Sequence, residues 1–288
     1  MFFVVESGST KSDWVLIDAK NKHKSFTTIG FNPYFHESDF IVEEISKNAE
    51  LLEISKEISG VYFYGAGCSS TTLNKVIEKA LTKIFSKAKI VVDHDLLACA
   101  YATYSGIPEI SCILGTGSNS CYFDGENLSE VRPALGYILG DEGSGSYFGK
   151  KLLVDFLYKR LPRELEMDFV SDYGLDKDTI VKKVYQEANA NVYIASFMPF
   201  IAKHKTHAHV HTMLVEGFKE FIDVHVKCFE QYEQSEVNFV GSISYLFQEQ
   251  LEIAGKESGI TIGRIIRKPI DALVEYHEKY IIQKDFVQ

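Results

Sequence analysis

The feature that most constrains the fold of this chain is an approximate internal repeat. In the first half, the small-residue turn at 8–11 separates two short apolar runs. In the second half, the turn at 115–118 separates two runs in the same way. Such a repeat fixes an architecture more firmly than any single element does. It predicts the order β-β-β-α-β-α-β-α for each half, with a helical insertion in the second half.

The spacing of apolar residues places the individual elements along the chain. Strands are predicted at 2–5, 13–17, 25–29, 61–64, 90–92, 110–114, 119–123, 128–132, 237–240 and 260–262. Helices are predicted at 39–52, 72–85, 96–104, 147–158, 245–254 and 269–280. The short join at 106–108 predicts a hinge between domains at 1–108 and 109–288, with a last helix that could pack back on the first domain. Ligands are expected in a cleft between the halves, near the carboxyl ends of the strands.

Composition and charge exclude several classes of partner. The chain has 288 residues, with 30 Lys and Arg against 40 Asp and Glu, and a net charge of −10. Sequence-independent binding to nucleic acid or to anionic membranes needs clustered basic residues, so neither partner is expected. No apolar run approaches the ~20 residues that span a bilayer, and the first residues are interpreted as a strand, not a signal peptide. The five cysteines lack CxxC spacing, which favours a reducing, cytoplasmic setting.

The two repeated turns are candidates for phosphate binding. Glycine lets the backbone approach an anion, consecutive N–H groups form a nest for oxygen atoms, and hydroxyls and a lysine add donors. One such turn alone is more typical of a plain β-hairpin, whereas two at equivalent places favour phosphate binding. Neither turn is a Walker loop. The candidate residues are Gly8, Ser9, Thr10, Lys11, Gly115, Thr116, Gly117 and Ser118.

Acidic residues occur at two predicted helix starts. Asp93 and Asp95 lie between a strand and a helix, where either carboxylate could cap the helix or act as a general base. Around Asp141, the stretch 139–146 contains three glycines and two acids before another helix. Those acids could cap that helix, hold a metal through water, or bond to sugar hydroxyls.

Two further features have weaker functional interpretations. His207 and His211 are four residues apart and could hold a metal from one helix face, with His204 and His209 nearby. Histidines of this kind are more often part of a solvated helix. Cys68 could be a reactive thiol, although no activating partner is visible in the sequence.

These motifs together resemble the ASKHA superfamily of sugar kinases, actin and Hsp70-type ATPases. Glu6–Trp14 is similar to its first phosphate motif, Leu114–Asn119 to its second, and Val240–Ile243 to its adenosine motif. The stretch Gly136–Gly145 resembles the N-acetylglucosamine kinase branch of the BadF/BadG/BcrA/BcrD ATPase family. The matches occur in the family's order from residue 4 to about residue 245, over most of the chain.

The resemblance implies an α/β fold of two duplicated ribonuclease H-like (actin-like ATPase) domains with a central interdomain cleft. It also implies ATP-dependent phosphorylation of an amino sugar, with N-acetylglucosamine 6-phosphate as the expected product. The implied cofactors are ATP and Mg²⁺, and a homodimer is a family-level expectation. Loose phosphoryl-transfer transition states need mainly positioning and charge neutralisation, which turns of this kind can supply.

The resemblance also assigns roles to residues. Asp95 is expected to be the catalytic base, and Glu6 to hold Mg²⁺, directly or through water. The expected sugar contacts are Asn32, Asp95, Gly136 and Asp141. The expected nucleotide contacts are the two phosphate turns, with Thr10 and Thr116 meeting the phosphates, and Gly241 and Ser242 on the adenosine side.

Two departures from the family pattern bear on these roles. Glu6 stands where the family usually has Asp, so its carboxylate reaches one methylene further. A tryptophan common in the branch is absent from 133–136, which changes the expected sugar pocket. Two alternatives therefore stay open: an ATPase that activates a reductase, which would need cluster-binding cysteines, and a sugar- or nucleotide-binding sensor without turnover.

Overall fold

The structure is a computed structural model that describes residues 1–8, 11–18 and 22–282. The chain forms two compact units. Among the described residues, unit 1 contains those of Met1–Tyr104 and of 268–282, and unit 2 contains Ser105–Arg267. The units thus divide at 104/105, whereas the sequence predicts a boundary at 108/109, and the last helix lies in unit 1.

Unit 1 is built on a mixed sheet. Its strands are β1 (Phe2–Ser7), β2 (Lys11–Ile17), β3 (His23–Ile29), β4 (Gly60–Gly65) and β5 (Lys89–His94). Within the described residues the strand order is β3-β2-β1-β4-β5. The neighbours β1–β2 and β2–β3 are antiparallel, whereas β1–β4 and β4–β5 are parallel. Along the chain, the antiparallel strands β1–β3 therefore come first and the parallel strands β4 and β5 follow, as the repeat predicts.

Four helices of the N-terminal segment accompany this sheet in the described residues. They are α1 (Ser38–Ser46), α2 (Ala49–Ile54), α3 (Thr71–Ile84) and α4 (Asp95–Thr103), with a short 3₁₀ turn at Ser55–Glu57. The prediction of a single helix at 39–52 is wrong, because Asn48 interrupts it. The Asn48 side chain accepts a hydrogen bond from Leu51 N at 3.1 Å and so caps a new helix.

Unit 2 repeats the strand topology. Its strands are β6 (Glu109–Leu114), β7 (Ser118–Phe123), β8 (Leu128–Ser129), β9 (Glu236–Val240) and β10 (Thr261–Ile266). Their order in the described residues is β10-β9-β6-β7-β8, with β6–β7 and β7–β8 antiparallel and β6–β9 and β9–β10 parallel. The strand predicted at 128–132 is shorter than expected. Val131 is half exposed, so extending the strand would bury no apolar surface there.

The remaining helices belong to unit 2 up to residue 267. They are α5 (Gly136–Leu139), α6 (Gly145–Leu157), α7 (Arg163–Tyr173), α8 (Lys177–Tyr185), α9 (Ala190–Ala195), α10 (Met198–Lys203), α11 (Ala208–Phe221), α12 (Ser242–Leu246) and α13 (Gln248–Ser258). A π-helix at Ile222–Val226 continues α11. The helix predicted at 245–254 begins earlier than expected and breaks at Phe247.

The last helix, α14 (Ile270–Tyr276), packs on α4 and continues into a π-helix at His277–Ile282. The Tyr276 ring stacks on the Tyr101 ring with centroids 4.1 Å apart. Buried His277 contacts the Tyr64 hydroxyl through Nε2 at 3.0 Å and the Leu273 carbonyl through Nδ1 at 2.8 Å. This helix therefore covers one face of the unit 1 sheet.

Both faces of the unit 1 sheet are buried, which explains the continuous apolar run of β1. Phe3 and Val5 belong to one core cluster, and Phe2 and Val4 belong to the cluster on the opposite face. In unit 2 one large cluster joins the sheet to the helical insertion. The α/β fold with two duplicated sheets is thus confirmed. Within the described residues, no helix has the length and apolar character that crossing a bilayer requires.

Candidate active site

Three parallel strands end together at one edge of the unit 1 sheet. Ser7 on β1 lies in register with Gly65 on β4, and Gly65 lies in register with His94 on β5. Glu6 precedes that line, and Asp95 follows it as the first residue of α4. The sheet therefore brings two carboxylates that are 89 positions apart to the same edge, where α/β proteins bind ligands.

Glu6 lies in a negatively charged, largely buried setting. Burial, together with the neighbouring carboxylates of Asp95 and Asp13, raises the pKa of its carboxyl to about 7. The ammonium groups of Lys11 and Lys268 oppose this shift. An excess of negative charge at this edge would be relieved by a bound cation.

Asp95 is not the N-cap of α4, although the sequence allows that role. The residue that caps α4 is His94, whose Nδ1 accepts a hydrogen bond from Leu97 N at 3.2 Å. Asp93 instead accepts from His94 N at 2.8 Å. The interpretation of Asp93 or Asp95 as the helix cap is therefore wrong, because an imidazole nitrogen takes that place.

The first phosphate turn is closed by a hydrogen bond from Gly8 N to Lys11 O at 3.0 Å. Ser9 and Thr10, two of its candidate residues, lie outside the described residues. The Lys11 ammonium forms an ion pair with Asp13 at 2.5 Å and is about half exposed. This lysine is therefore shared between a carboxylate and any bound phosphate.

The second phosphate turn is held by the start of α6. Gly115 N donates to Gly117 O at 3.0 Å, which closes the turn. Gly145 N then donates to Gly115 O at 2.8 Å, and Ser146 N donates to Thr116 O at 3.0 Å. Ser118 Oγ is buried and has no hydrogen-bond partner within the described part of the chain. Such an unpaired hydroxyl in a glycine turn fits a ligand that brings its own oxygen atoms.

Asp141 lies against this second turn. Its carboxylate accepts hydrogen bonds from Ser118 N at 3.3 Å and from Ser146 Oγ at 3.4 Å. Burial raises the pKa of the Asp141 carboxyl, while these two donors lower it. Gly117 packs closely on the same carboxylate, since a Cβ there would lie 3.0 Å from Asp141 Oδ1. Asp141 is therefore part of the turn's structure as well as a candidate ligand contact.

The other interpretations of the stretch 139–146 are wrong or unsupported. The cap of α6 is Ser144, whose hydroxyl accepts from Tyr147 N at 3.2 Å, so neither acid caps the helix. No group of three or more metal-ligating side chains occurs among the described residues. Gly136 begins α5, where it is exposed, and its carbonyl accepts from Gly140 N at 2.8 Å.

Gly241 brings the candidate adenosine motif into contact with the second turn. It follows β9 with φ of +133°, and a Cβ there would collide with the carbonyl oxygen of Leu114. Only glycine combines that backbone angle with so close an approach. Ser242 begins α12 directly afterwards. The structure thus brings together Gly115–Ser118, Asp141 and Gly241 in unit 2.

Asn32 is held by local contacts in unit 1. Its Oδ1 accepts from Tyr34 N at 2.9 Å, and its backbone N donates to His36 Nδ1 at 3.2 Å. Within the described residues, no side chain or carbonyl accepts from Asn32 Nδ2. One amide donor therefore remains for a ligand.

The surroundings of the histidine group and of Cys68 do not support the metal-ligand and reactive-thiol interpretations. Each of three histidines pairs with a carboxylate: His204 with Asp168, His207 with Glu164, and His209 with Asp155. Burial raises the pKa of the Cys68 thiol to about 12, so the thiolate that a nucleophile needs does not form near neutral pH.

Three relevant contacts were missed by the sequence analysis. Asp13 lies opposite Glu6, which hairpin counting outward from the turn at 8–11 would have shown. Ser144 caps α6, a role that its place before a helix could have indicated. The pair of Glu142 and His225, 3.0 Å apart, joins residues 83 positions distant and has no local sequence signal.

The chain was compared with protein families, with curated proteins and with solved structures. No protein-family model matches the chain. No curated protein matches it. Among solved structures, a Porphyromonas gingivalis protein provisionally assigned as an N-acetylglucosamine kinase is 33% identical, with 97% of this chain and 99% of that chain covered and a TM-score of 0.91.

Two more distant structures share the fold. A Chromobacterium violaceum protein with the same provisional assignment is 14% identical, covers 96% of this chain and 98% of its own, and has a TM-score of 0.70. A ROK-family glucokinase from Streptomyces griseus, solved with glucose and AMPPNP, is 13% identical, with 96% and 98% covered and a TM-score of 0.56. The fold is that of the ASKHA sugar kinases.

Proposed function

The chain belongs to the sugar-kinase family of the Porphyromonas gingivalis protein, and from that premise we propose that it transfers the γ-phosphoryl group of ATP to an amino sugar. The proposed acceptor is the 6-hydroxyl of N-acetylglucosamine. The observation that carries the proposal is the arrangement of Glu6, Asp13 and Asp95 at the carboxyl edge of the unit 1 sheet.

Asp95 is the proposed general base. Its carboxylate takes the proton of the sugar hydroxyl while that oxygen forms a bond to the γ-phosphorus and the bond to the ADP oxygen breaks. The N-cap of α4 is His94, and Asp95 is the first residue of the helix. The first turn of a helix also stabilises a negative charge at Asp95.

Glu6 is the proposed Mg²⁺ contact, directly or through water. Its buried carboxyl has a pKa raised to about 7 because burial and two neighbouring carboxylates disfavour its charge. Hard oxygen ligands of this kind suit Mg²⁺, which usually keeps several waters and binds through one or two carboxylates. The ion would neutralise the charge on the β- and γ-phosphates during transfer.

The two glycine turns are the proposed phosphate contacts. In the first, Gly8, Ser9, Thr10 and Lys11 would contact ATP. In the second, the proposed donors include the buried hydroxyl of Ser118, together with Thr116 and the backbone of Gly115 and Gly117. The proposed adenosine contacts are Gly241 and Ser242, which directly follow β9.

The sugar contacts are proposed at Asn32, Asp95, Asp141 and the backbone of Gly136. Asn32 Nδ2 offers a donor, and the Asp95 and Asp141 carboxylates offer acceptors, a combination that suits hydroxyl and amide groups. The stretch 136–145 also supports placing the chain in the N-acetylglucosamine kinase branch of the BadF/BadG/BcrA/BcrD ATPase family. The chain has no tryptophan at 133–136, so the N-acetyl group must be recognised by other contacts.

Location and assembly are proposed on narrower grounds. None of the five cysteines forms a disulfide, which supports a reducing compartment such as the cytoplasm. A homodimer remains a family-level expectation. The reductase-activator alternative needs accessible cluster-binding cysteines, but Cys112 and Cys121 are buried within β6 and β7.

The test is ADP release with MgATP and a panel of acceptors. The panel contains N-acetylglucosamine, N-acetylmannosamine, N-acetylmuramic acid, glucosamine, glucose and a control without sugar. The proposal expects turnover stimulated by an N-acetylated sugar. Folded protein that binds a sugar without releasing ADP would contradict the kinase and favour the sensor alternative.

A further inference from the structure

A buried histidine–carboxylate pair lies behind the loop that carries Asp141. His225 Nε2 is 3.0 Å from Glu142 Oε2, and the two side chains are 5% and 17% exposed. His225 Nδ1 is also buried and has no hydrogen-bond partner in the part of the chain that the structure describes. Because a carboxylate accepts hydrogen bonds, the ring donates from Nε2 to Glu142, and this bond anchors the Glu142 side chain.

His225 is itself fixed on three sides. It lies in the π-helix Ile222–Val226, a rare geometry that is frequent near functional sites. Its ring stacks on Phe221 with centroids 5.0 Å apart, and its carbonyl accepts from Ser120 Oγ at 2.6 Å. Ser120 is on β7, the strand that begins at Ser118. His225 therefore joins the Asp141 loop to the strand that leaves the second turn.

The loop in front of this pair is conformationally strained. Asp141 has φ of +59°, a left-handed backbone conformation that non-glycine residues rarely adopt. Gly143 has φ of +68°, and a Cβ there would lie 2.9 Å from Phe221 Cβ. Strain of this kind persists only where surrounding contacts hold the backbone. Glu142 lies between these two residues, so its bond to His225 is well placed to hold the loop.

We propose that Glu142 and His225 are positioning residues, which hold Asp141 against the second turn and thereby set the affinity for the sugar. This inference rests on the proposed function, because Asp141 is a proposed sugar contact. Neither residue needs to touch the substrate. If Asp141 contacts ground state and transition state alike, losing the pair raises KM for the sugar and changes kcat little.

The main variant is Glu142→Met, which leaves His225 without its carboxylate partner. In Glu142→Met, the KM for the sugar is expected to rise about 10- to 100-fold, because a hydrogen bond to a charged group is lost. The kcat is expected to stay within about threefold of wild type. Glu142→Gln keeps an acceptor for Nε2 and is expected to stay within about threefold of wild type. If Glu142→Met does not fold, Glu142→Asp shortens the reach with little change in volume and carries the same expectation.

The matched control is His209→Leu, which breaks a pair of similar geometry elsewhere in unit 2. His209 Nε2 is 3.1 Å from Asp155 Oδ2, and neither residue belongs to the proposed site. This variant is expected to leave the sugar KM unchanged. An equal rise in KM for His209→Leu would overturn the proposal, since the effect would then report general destabilisation of unit 2.

Hydrogen exchange supplies a readout that does not need turnover. In Glu142→Met, backbone amides at 136–146 and 115–118 are expected to exchange faster than in wild type, while the rest of the protein is unchanged. Unchanged exchange at these amides, with an unchanged KM, would overturn the proposal. If wild type shows no sugar-dependent turnover, the proposed function fails, and the exchange experiment still decides whether the pair holds the loop.

Discussion

At the scale of single residues, two carboxylates at one sheet edge lie in different surroundings. Glu6 is largely buried, and burial and like charge raise its pKa to about 7. Asp95 begins α4 and benefits from the positive end of the helix dipole.

The role of Asp95 predicts a clear separation of binding and turnover. In Asp95→Asn, kcat is expected to fall about 10²- to 10⁴-fold, because the proton acceptor is lost. The dissociation constant for the sugar, measured by calorimetry, is expected to change far less. The control is Asp93→Asn, whose carboxylate accepts from His94 N on the same segment. Wild-type kcat in Asp95→Asn would refute the base assignment.

The role of Glu6 predicts a change in metal dependence. In Glu6→Gln the charge that attracts the cation is lost, so the Mg²⁺ concentration for half-maximal rate is expected to rise about tenfold or more. Glu6→Asp keeps the charge and is expected to stay closer to wild type. A Mg²⁺ titration of the steady-state rate measures both. Identical titrations for wild type and Glu6→Gln would exclude Glu6 as the metal contact.

Residue roles were only partly readable from the sequence. The place of Asp95 at a strand end and helix start was predictable, because it follows an apolar strand directly. The cap at His94 was not, because an imidazole competes poorly with aspartate in capping preferences. The bond between Glu142 and His225 depends on how α11 packs on the loop, which no local pattern contains.

At the scale of elements, the π-helix that continues α14 buries the titratable side chain of His277 in unit 1. Burial lowers the pKa of His277 to about 4, while the hydrogen bond to the Leu273 carbonyl opposes this shift. The unfolded chain protonates this histidine near pH 6.5, whereas the folded protein does so only near pH 4. The unfolded state therefore binds more protons across that window, and the stability due to His277 falls as the pH falls.

The expected size of this effect is about 2 kcal/mol of unfolding free energy between pH 7.5 and pH 5. Urea unfolding gives the unfolding free energy of wild type and of His277→Asn at both pH values. The change between the two pH values is expected to be larger in wild type than in His277→Asn by this amount. Glu6 contributes in the opposite direction, because its raised pKa favours the folded state in acid, but that contribution is present in both proteins and cancels. Equal pH dependence of the two proteins would contradict a neutral buried His277.

Elements were more predictable than their ends. The strands of both sheets lie where apolar runs placed them, because buried strands need such runs. The predicted helix at 39–52 is two helices, since the Asn48 side chain caps a new one. The helical region from α7 to α11 showed no motif, because its contribution is apolar packing in the core of unit 2.

At the scale of the whole molecule, one topology is used twice. The order β3-β2-β1-β4-β5 in unit 1 corresponds strand for strand to β8-β7-β6-β9-β10 in unit 2 within the described residues. Each hairpin turn and each glycine-ended parallel strand recurs at the equivalent place. The repeat was predictable from the sequence, because turns and strands leave local signals. The sugar acceptor was not, because it depends on side chains from distant segments.

The central claim is that this fold transfers phosphate to a sugar and does not merely bind nucleotide. The most direct measurement is phosphorus NMR of the folded wild-type protein with MgATP and N-acetylglucosamine. A sugar-phosphate resonance is expected to grow at the rate at which ADP forms. Inorganic phosphate without sugar phosphate, or unchanged ATP across the acceptor panel, would contradict it.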